Sequence, residues 1–241
     1  MRFVESIVIN SRSITLNFQH VQEMFKIFVT EAVAEVETRE FFNFLTKQNQ
    51  NARTRERLYL LDEKLRFQVF TKIMCNDKSM NCLNLNLHAY ECFRALFVGV
   101  NAQEGSLALD REGNILTVAN HTALQGMNTM WRISIQCQNE EVKELCRCSL
   151  CDLYLLTKPK SQSQRQKAHD HFVKACRTQL VAAQEQRKCS QEQRKKARVS
   201  EDSNQTIFNC LRLLKTFIQR YDKEHLIPEL KHALASLSPQ D

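Results

Sequence analysis

Glycine and proline are scarce in this chain, at four and three in 241 residues. That leaves too few chain-reversal residues for the many tight turns of a β sandwich or barrel, so helix is the expected element throughout. Long apolar runs are missing too. No stretch approaches the roughly 18 to 20 apolar residues that span a bilayer. Glu5 and Asn10 interrupt the opening MRFVESIVIN, which reads as neither a secretory signal nor an anchor. The shortage of glycine also excludes phosphate-cradling loops, since neither GxxxxGK nor GxGxxG occurs.

What is plentiful is cysteine, with ten residues at irregular spacings, many of them on apolar helix faces. Without a disulfide framework or a leader, buried thiols in a reducing compartment are the better reading. The expected location is the cytoplasm, with the nucleus as a second one. The Asn120-His-Thr122 and Asn204-Gln-Thr206 sequons are then chance matches. The net charge of +7 is concentrated: Lys158 to Arg198 holds twelve Lys and Arg against three Asp and Glu, a local balance of +9. A basic stretch on a near-neutral body differs from a basic nucleic-acid-binding domain.

Apolar spacing predicts a succession of helices. Val21, Met24, Phe25 and Phe28 line a helix over about residues 17 to 36. Phe41, Phe42, Phe44 and Leu45 open a short one after the charged Glu35 to Glu40 stretch, and Lys47 to Arg57 reads as an exposed loop or helix start. Leu65, Val69, Phe70 and Ile73 mark the next helix. A break at 76–79 precedes the helix of Tyr90, Phe93, Leu96 and Phe97.

Asn101 to Thr122 is a linker reversing at Gly105 and Gly113. Within it, Ser106-Leu-Ala-Leu and Ile115-Leu-Thr-Val can pair as a small hairpin, although a loop with a strand-like kink is the preferred reading. Helices follow around Trp131, from Glu140 to Leu156, and over His171 to Ala183. Gln184 to Asn204 nearly lacks large apolar residues and reads as a solvated helix extension or a flexible segment. Ile207 to Tyr221 is amphipathic again, and Pro228 opens a last short helix. The expected class is all-α: an irregular armadillo/HEAT-like solenoid with at most one hairpin in the 101–122 linker. Helical repeats would occupy residues 1–157 and 158–241, the latter interrupted by the basic segment 184–204. Apolar end faces are expected at Leu16-Phe18 and Leu234-Leu237.

No motif in the chain carries bond chemistry. Cys146-x-Cys148-x-x-Cys151 with Cys137 nearby suggests zinc, but on a helix these spacings do not converge on one face, and core cysteines are the reading. His169-x-His171 reads as a solvated face near a helix start. Gly126-Met-Asn-Thr-Met130 has the outline of a thiol nucleophile box, but Met130 stands where the thiol would be, and Met forms no thiolate. Trp131, Phe93 and Phe97 read as core rather than as a peptide groove. The run RKCSQEQRKKAR supplies the candidate partner-binding residues: Arg187, Lys188, Arg194, Lys195, Lys196 and Arg198. No aromatic interleaves it, which weakens a nucleic-acid reading in favour of acidic proteins. No catalytic, cofactor or metal residue is assigned, and no membrane partner is expected.

The order of three blocks carries a resemblance. They are Tyr90 to Asn101 (YECFRALFVGVN), Gly126 to Gln136 (GMNTMWRISIQ), and Asn209 to Ile218 (NCLRLLKTFI) followed by His225-Leu-Ile-Pro228. This order resembles a non-catalytic region of the giant fat facets-type ubiquitin-specific proteases. There a Cys-Phe-x-x-Phe-Phe-x-x-Val-Asn helix precedes a Gly-Leu/Met-x-x-Leu/Met-Trp-Arg helix. The similarity covers most of residues 38 to 232. It implies a superhelical scaffold lying N-terminal to a thiol protease domain, with ubiquitinated substrates or adaptors as partners. None of the family's catalytic residues maps onto this chain, and the basic stretch Gln184 to Arg198 departs from the family pattern. The alternative expectation is a free-standing armadillo-like adaptor that binds acidic protein partners.

Overall fold

A computed structural model describes residues 16–54, 60–155, 162–192 and 197–223. These contain eight α-helices and one two-stranded sheet. In chain order they are α1 (Phe18–Phe25), α2 (Glu35–Thr54), α3 (Glu63–Val69), α4 (Leu87–Gln103), β1 (Leu107–Leu109), β2 (Ile115–Val118), α5 (Met127–Gln136), α6 (Glu140–Leu155), α7 (Gln162–Glu192) and α8 (Ala197–Tyr221). Among the described residues, no helix is long and apolar enough to cross a membrane.

The helix starts follow from side chains that take up otherwise unpaired backbone N–H groups. Asn17 accepts from His20 N, Asp62 from Leu65 N at 2.7 Å, Asn86 from Ala89 N at 2.9 Å and Asn139 from Val142 N at 3.2 Å. Two helices end in π turns, α1 through Lys26–Thr30 and α3 through Phe70–Met74. Their closing bonds span five residues: Glu31 N donates to Lys26 O at 2.8 Å, and Cys75 N to Phe70 O at 2.9 Å.

Three expectations are corrected here. The charged stretch after Ala34 is the start of α2, not a spacer between helices, because Glu35 and Glu37 suit the positive end of a helix. The polar run after Lys47 is helix up to Thr54; Gln48 and Asn49 are buried, and Asn49 Nδ2 donates to Ala95 O at 2.9 Å. The linker forms the hairpin rather than the kinked loop. Asp110 closes its turn, donating its N–H to Asn114 O (2.9 Å) and accepting Asn114 N on its carboxylate (2.7 Å), with Gly113 at φ +89°.

Backbone contacts divide the chain into two compact units, residues 1–115 with 122–129, and residues 116–121 with 130–241. The first unit is built on phenylalanine. Phe25, Phe41 and Phe42 meet edge to face at 5.8 and 5.5 Å, and Phe70, Phe93 and Phe97 cluster within 6.3 Å of one another. α2 and α4 approach so closely that a Cβ at Gly99 would stand 2.5 Å from Asn49 Oδ1.

The second unit is centred on Phe172, which stacks on Phe217 at 4.0 Å and touches Trp131 and Tyr154. Trp131, Phe93 and Phe97 are buried, as the core reading requires. Leu16 and Phe18 are half-buried, and the expected end face at Leu234-Leu237 lies outside the described residues.

Candidate functional site

α7 and α8 run antiparallel in the second unit. His169 near one end of α7 meets Phe217 and Tyr221 late in α8. The basic run spans the end of α7, residues 193–196 and the start of α8. Arg187 and Lys188 lie on the last turns of α7 and Arg198 at the first turn of α8, so the backbone is helical on both sides. Arg194, Lys195 and Lys196 lie outside the described residues.

A polar network anchors α8 to α5 and α6. Arg147, at 0% exposure, donates to Ser134 O (3.3 Å), to Glu144 (2.7 Å) and to Asn209 Oδ1 (3.5 Å). Asn209 Nδ2 donates in turn to Ile135 O at 2.7 Å. Glu140 gathers Lys143 (2.5 Å), Arg212 (3.6 Å) and Arg147 (4.0 Å). The hydrogen bond from Lys143 holds its carboxyl below the usual range, with the neighbouring guanidinium groups helping. Arg220 pairs with Asp152 further along α8. These groups satisfy one another, which makes the network a clamp and not a reactive site.

The histidine pair departs from expectation. His169 is buried, at 9% exposure, with its ring edge-on to Phe217 and Tyr221. His171 is half-buried, and its Nδ1 lies 2.9 Å from the Tyr154 hydroxyl. Neither forms a solvated face, because long antiparallel packing of α7 on α8 and α6 covers the start of the helix. His121 completes this cluster, stacking on Tyr154 at 4.4 Å while its Nε2 bonds Leu153 O at 2.9 Å. Nothing in the sequence marked His121, since its partners are 32 and 33 residues away.

The cysteines among the described residues pack in or against the core. Cys146 Sγ donates to Met130 O at 3.2 Å, and burial pushes the Cys151 thiol up to about 12. Met130 is itself buried. Among the described residues no group of three or more ligating side chains comes together for a metal. In the first unit a shallow depression of about 730 Å³ is lined by Phe18, Gln22, Thr71 and Lys72, with the Lys72 ammonium 5.1 Å from the Phe18 ring.

Within the first unit the first resembling block bonds the residue that immediately precedes the second. Asn101 accepts Gln125 N at 2.7 Å, and its amide donates to Gln125 O at 3.0 Å and to Phe97 O at 2.8 Å. The next residue, Gly126, takes φ +78°, and its Cα faces Phe70 so closely that a Cβ would meet the ring at 2.4 Å. The Asn that ends the first block therefore fixes the turn that opens the second. No protein-family model and no curated protein matches this chain.

Proposed function

We propose that this chain is a non-catalytic α-helical scaffold segment of a ubiquitin-specific protease of the fat facets type. In that role it presents protein-binding surface in the deubiquitination pathway and positions a thiol protease domain whose catalytic boxes this sequence does not contain. Its helices would stack as an irregular armadillo/HEAT-like solenoid, whose rigidity and curvature do the work that chemistry does elsewhere. Its partners would be ubiquitinated substrates or adaptor proteins in the cytoplasm.

The observation that supports this reading is the paired hydrogen bonding of Asn101 with Gln125 beside Gly126. Asn101, which ends one block, and Gly126, which opens the next, serve as turn-forming and packing residues, as a scaffold demands. The third block behaves alike: Asn209, Cys210, Leu213 and Phe217 are buried on α8. The second reading, a free-standing adaptor for acidic partners, is favoured by the basic run from Arg187 to Arg198, which the family pattern lacks.

An immunoblot of cell lysate with an antibody against residues 184–204 separates the two. A band several times larger than 28.2 kDa is expected. A single band at the mass of this chain would overturn the protease assignment and leave the adaptor.

A further inference from the structure

Tyr154 is shared by two histidines. The His121 ring lies flat on it, with centroids 4.4 Å apart and planes 16° from parallel. The His171 ring lies 5.9 Å away at 17°, with its Nδ1 2.9 Å from the phenol oxygen. Tyr154 is buried, whereas both histidines are only half-buried, so protons from solvent reach the imidazoles.

The polarity of the hydrogen bonds fixes where the protons sit. The Trp131 indole N–H only donates, and it bonds the Tyr154 hydroxyl. The phenol hydrogen is then left for His171 Nδ1, which accepts it and so carries no hydrogen of its own. Leu153 O only accepts, so His121 Nε2 carries the hydrogen of their 2.9 Å bond. The cluster therefore requires a neutral His171. A proton added at His171 Nδ1 points at the phenol hydrogen, removes that bond and places a cation near His121.

The surroundings do not offset that cation. From Leu116 to Ala123, the segment that carries His121 has no other ionisable side chain. α5 offers the neutral Trp131. α6 offers the neutral Tyr154 and the Leu153 carbonyl, while its Asp152 is paired with Arg220. α7 offers Lys174, which adds repulsion, and Asp170, which is bonded to Gln166. Among the described residues, no carboxylate supports a charge on either ring.

The place of His121 in the chain gives this chemistry a consequence. Residues 116–121 belong to the second unit, although the residues on both sides of them in sequence belong to the first. The stack on Tyr154 and the bond to Leu153 O tie this short segment to α6 at its last residue.

We infer that the His121–Tyr154–His171 cluster is a pH-sensitive latch: with both imidazoles neutral it holds residues 116–121 against α6, and protonation of His171 releases them. The opening is local and reversible. It stands independently of the scaffold reading, because it concerns one segment of this chain and no partner.

The test is an NMR titration of the full 241-residue chain from about pH 7.5 to about pH 5, following imidazole and backbone amide signals. The His171 imidazole should titrate below the ordinary value of 6.5, since burial and Lys174 hold it down. With the same midpoint, amides 116–122 should lose their native shifts, while those of Asn209 to Phe217 on α8 keep theirs. His171→Asn offers the phenol an acceptor that does not titrate, and it should abolish the step at 116–122. Tyr154→Phe keeps the ring contacts but removes the donor to Nδ1, so the midpoint should rise toward 6.5. Native shifts at 116–122 after His171 has charged overturn the latch. So does a step that persists in His171→Asn, or one shared by α8, which would make it general unfolding.

Discussion

At the scale of single residues, the structure turns on groups whose partners are distant in sequence. Gly126 and Gly105 both hold positive φ, at +78° and +71°, but only Gly126 faces a ring; nothing lies within 4 Å of a Cβ built on Gly105. Gly126→Ala should therefore cost about 3 kcal/mol, from left-handed strain plus overpacking against Phe70, and Gly105→Ala only about 1 kcal/mol. Urea denaturation of the two variants measures the difference, and equal costs would remove the packing argument. Asn101→Ala should cost about 2 kcal/mol, since it leaves both backbone groups of Gln125 without their partner.

The histidines give a pH dependence. Burial holds His121 below the ordinary imidazole value of 6.5, with the nearby His171 adding to the effect and the bond to Leu153 O opposing it. His171 is lowered by burial and by Lys174. With folded values below the unfolded one, the unfolded chain takes up protons first. This stability is complete above about pH 6.5 and is lost as pH falls through the window toward the lower folded values. The urea midpoint should be lower at about pH 5.5 than at about pH 7.5, and His121→Gln should reduce that gap. A gap untouched by the substitution would place its origin in other groups.

At the scale of elements, much of the helix pattern was legible because apolar residues recur at helical spacing; Phe93, Leu96 and Phe97 on α4 are buried as that spacing requires. The failures share one physical cause. Asn49 and Gln48 look solvated in sequence, yet they are buried because α4 comes close enough at Gly99 to offer Ala95 O to Asn49. His169 and His171 looked exposed, yet α7 is long enough to pack them on two neighbours. Such polar burial depends on tertiary partners that periodicity does not encode. The same holds for the candidate site: the basic run was visible in composition, whereas the bond of Arg147 to Asn209 joins residues 62 apart in sequence. Phe172 is the hub joining α5, α6, α7 and α8 through Trp131, Tyr154 and Phe217. Phe172→Ala should cost about 4 kcal/mol, read as a fall in urea midpoint without a change in slope. A cost under about 1 kcal/mol would mean the aromatic cluster repacks freely.

At the scale of the whole molecule, the cysteines report on folding. Cys92, Cys146, Cys151, Cys176 and Cys210 are buried, and burial pushes the Cys92 and Cys176 thiols up to about 12. Cys75 and Cys148 are half-buried, with Cys75 also raised to about 12. Since the thiolate is the reacting form, alkylation of the native chain near pH 8 should modify Cys148 first among these, and the buried ones only after unfolding. Peptide mass spectrometry after timed iodoacetamide labelling checks the order. Early labelling of Cys146 or Cys151 would show α6 opening in the native state.

The π turns that close α1 and α3 bear on how the gene can change length. Each holds one residue more than an α-helix needs for the same rise. Losing a single codon within Lys26–Thr30, at exposed Ile27 for instance, lets the turn reseal as α-helix with its flanking residues still in phase. The same loss inside Leu87–Gln103 would rotate everything beyond it by about 100° and swing Phe97 and Val100 off the core. Tolerance of deletions should therefore be concentrated at the ends of α1 and α3 and absent from the middle of α4.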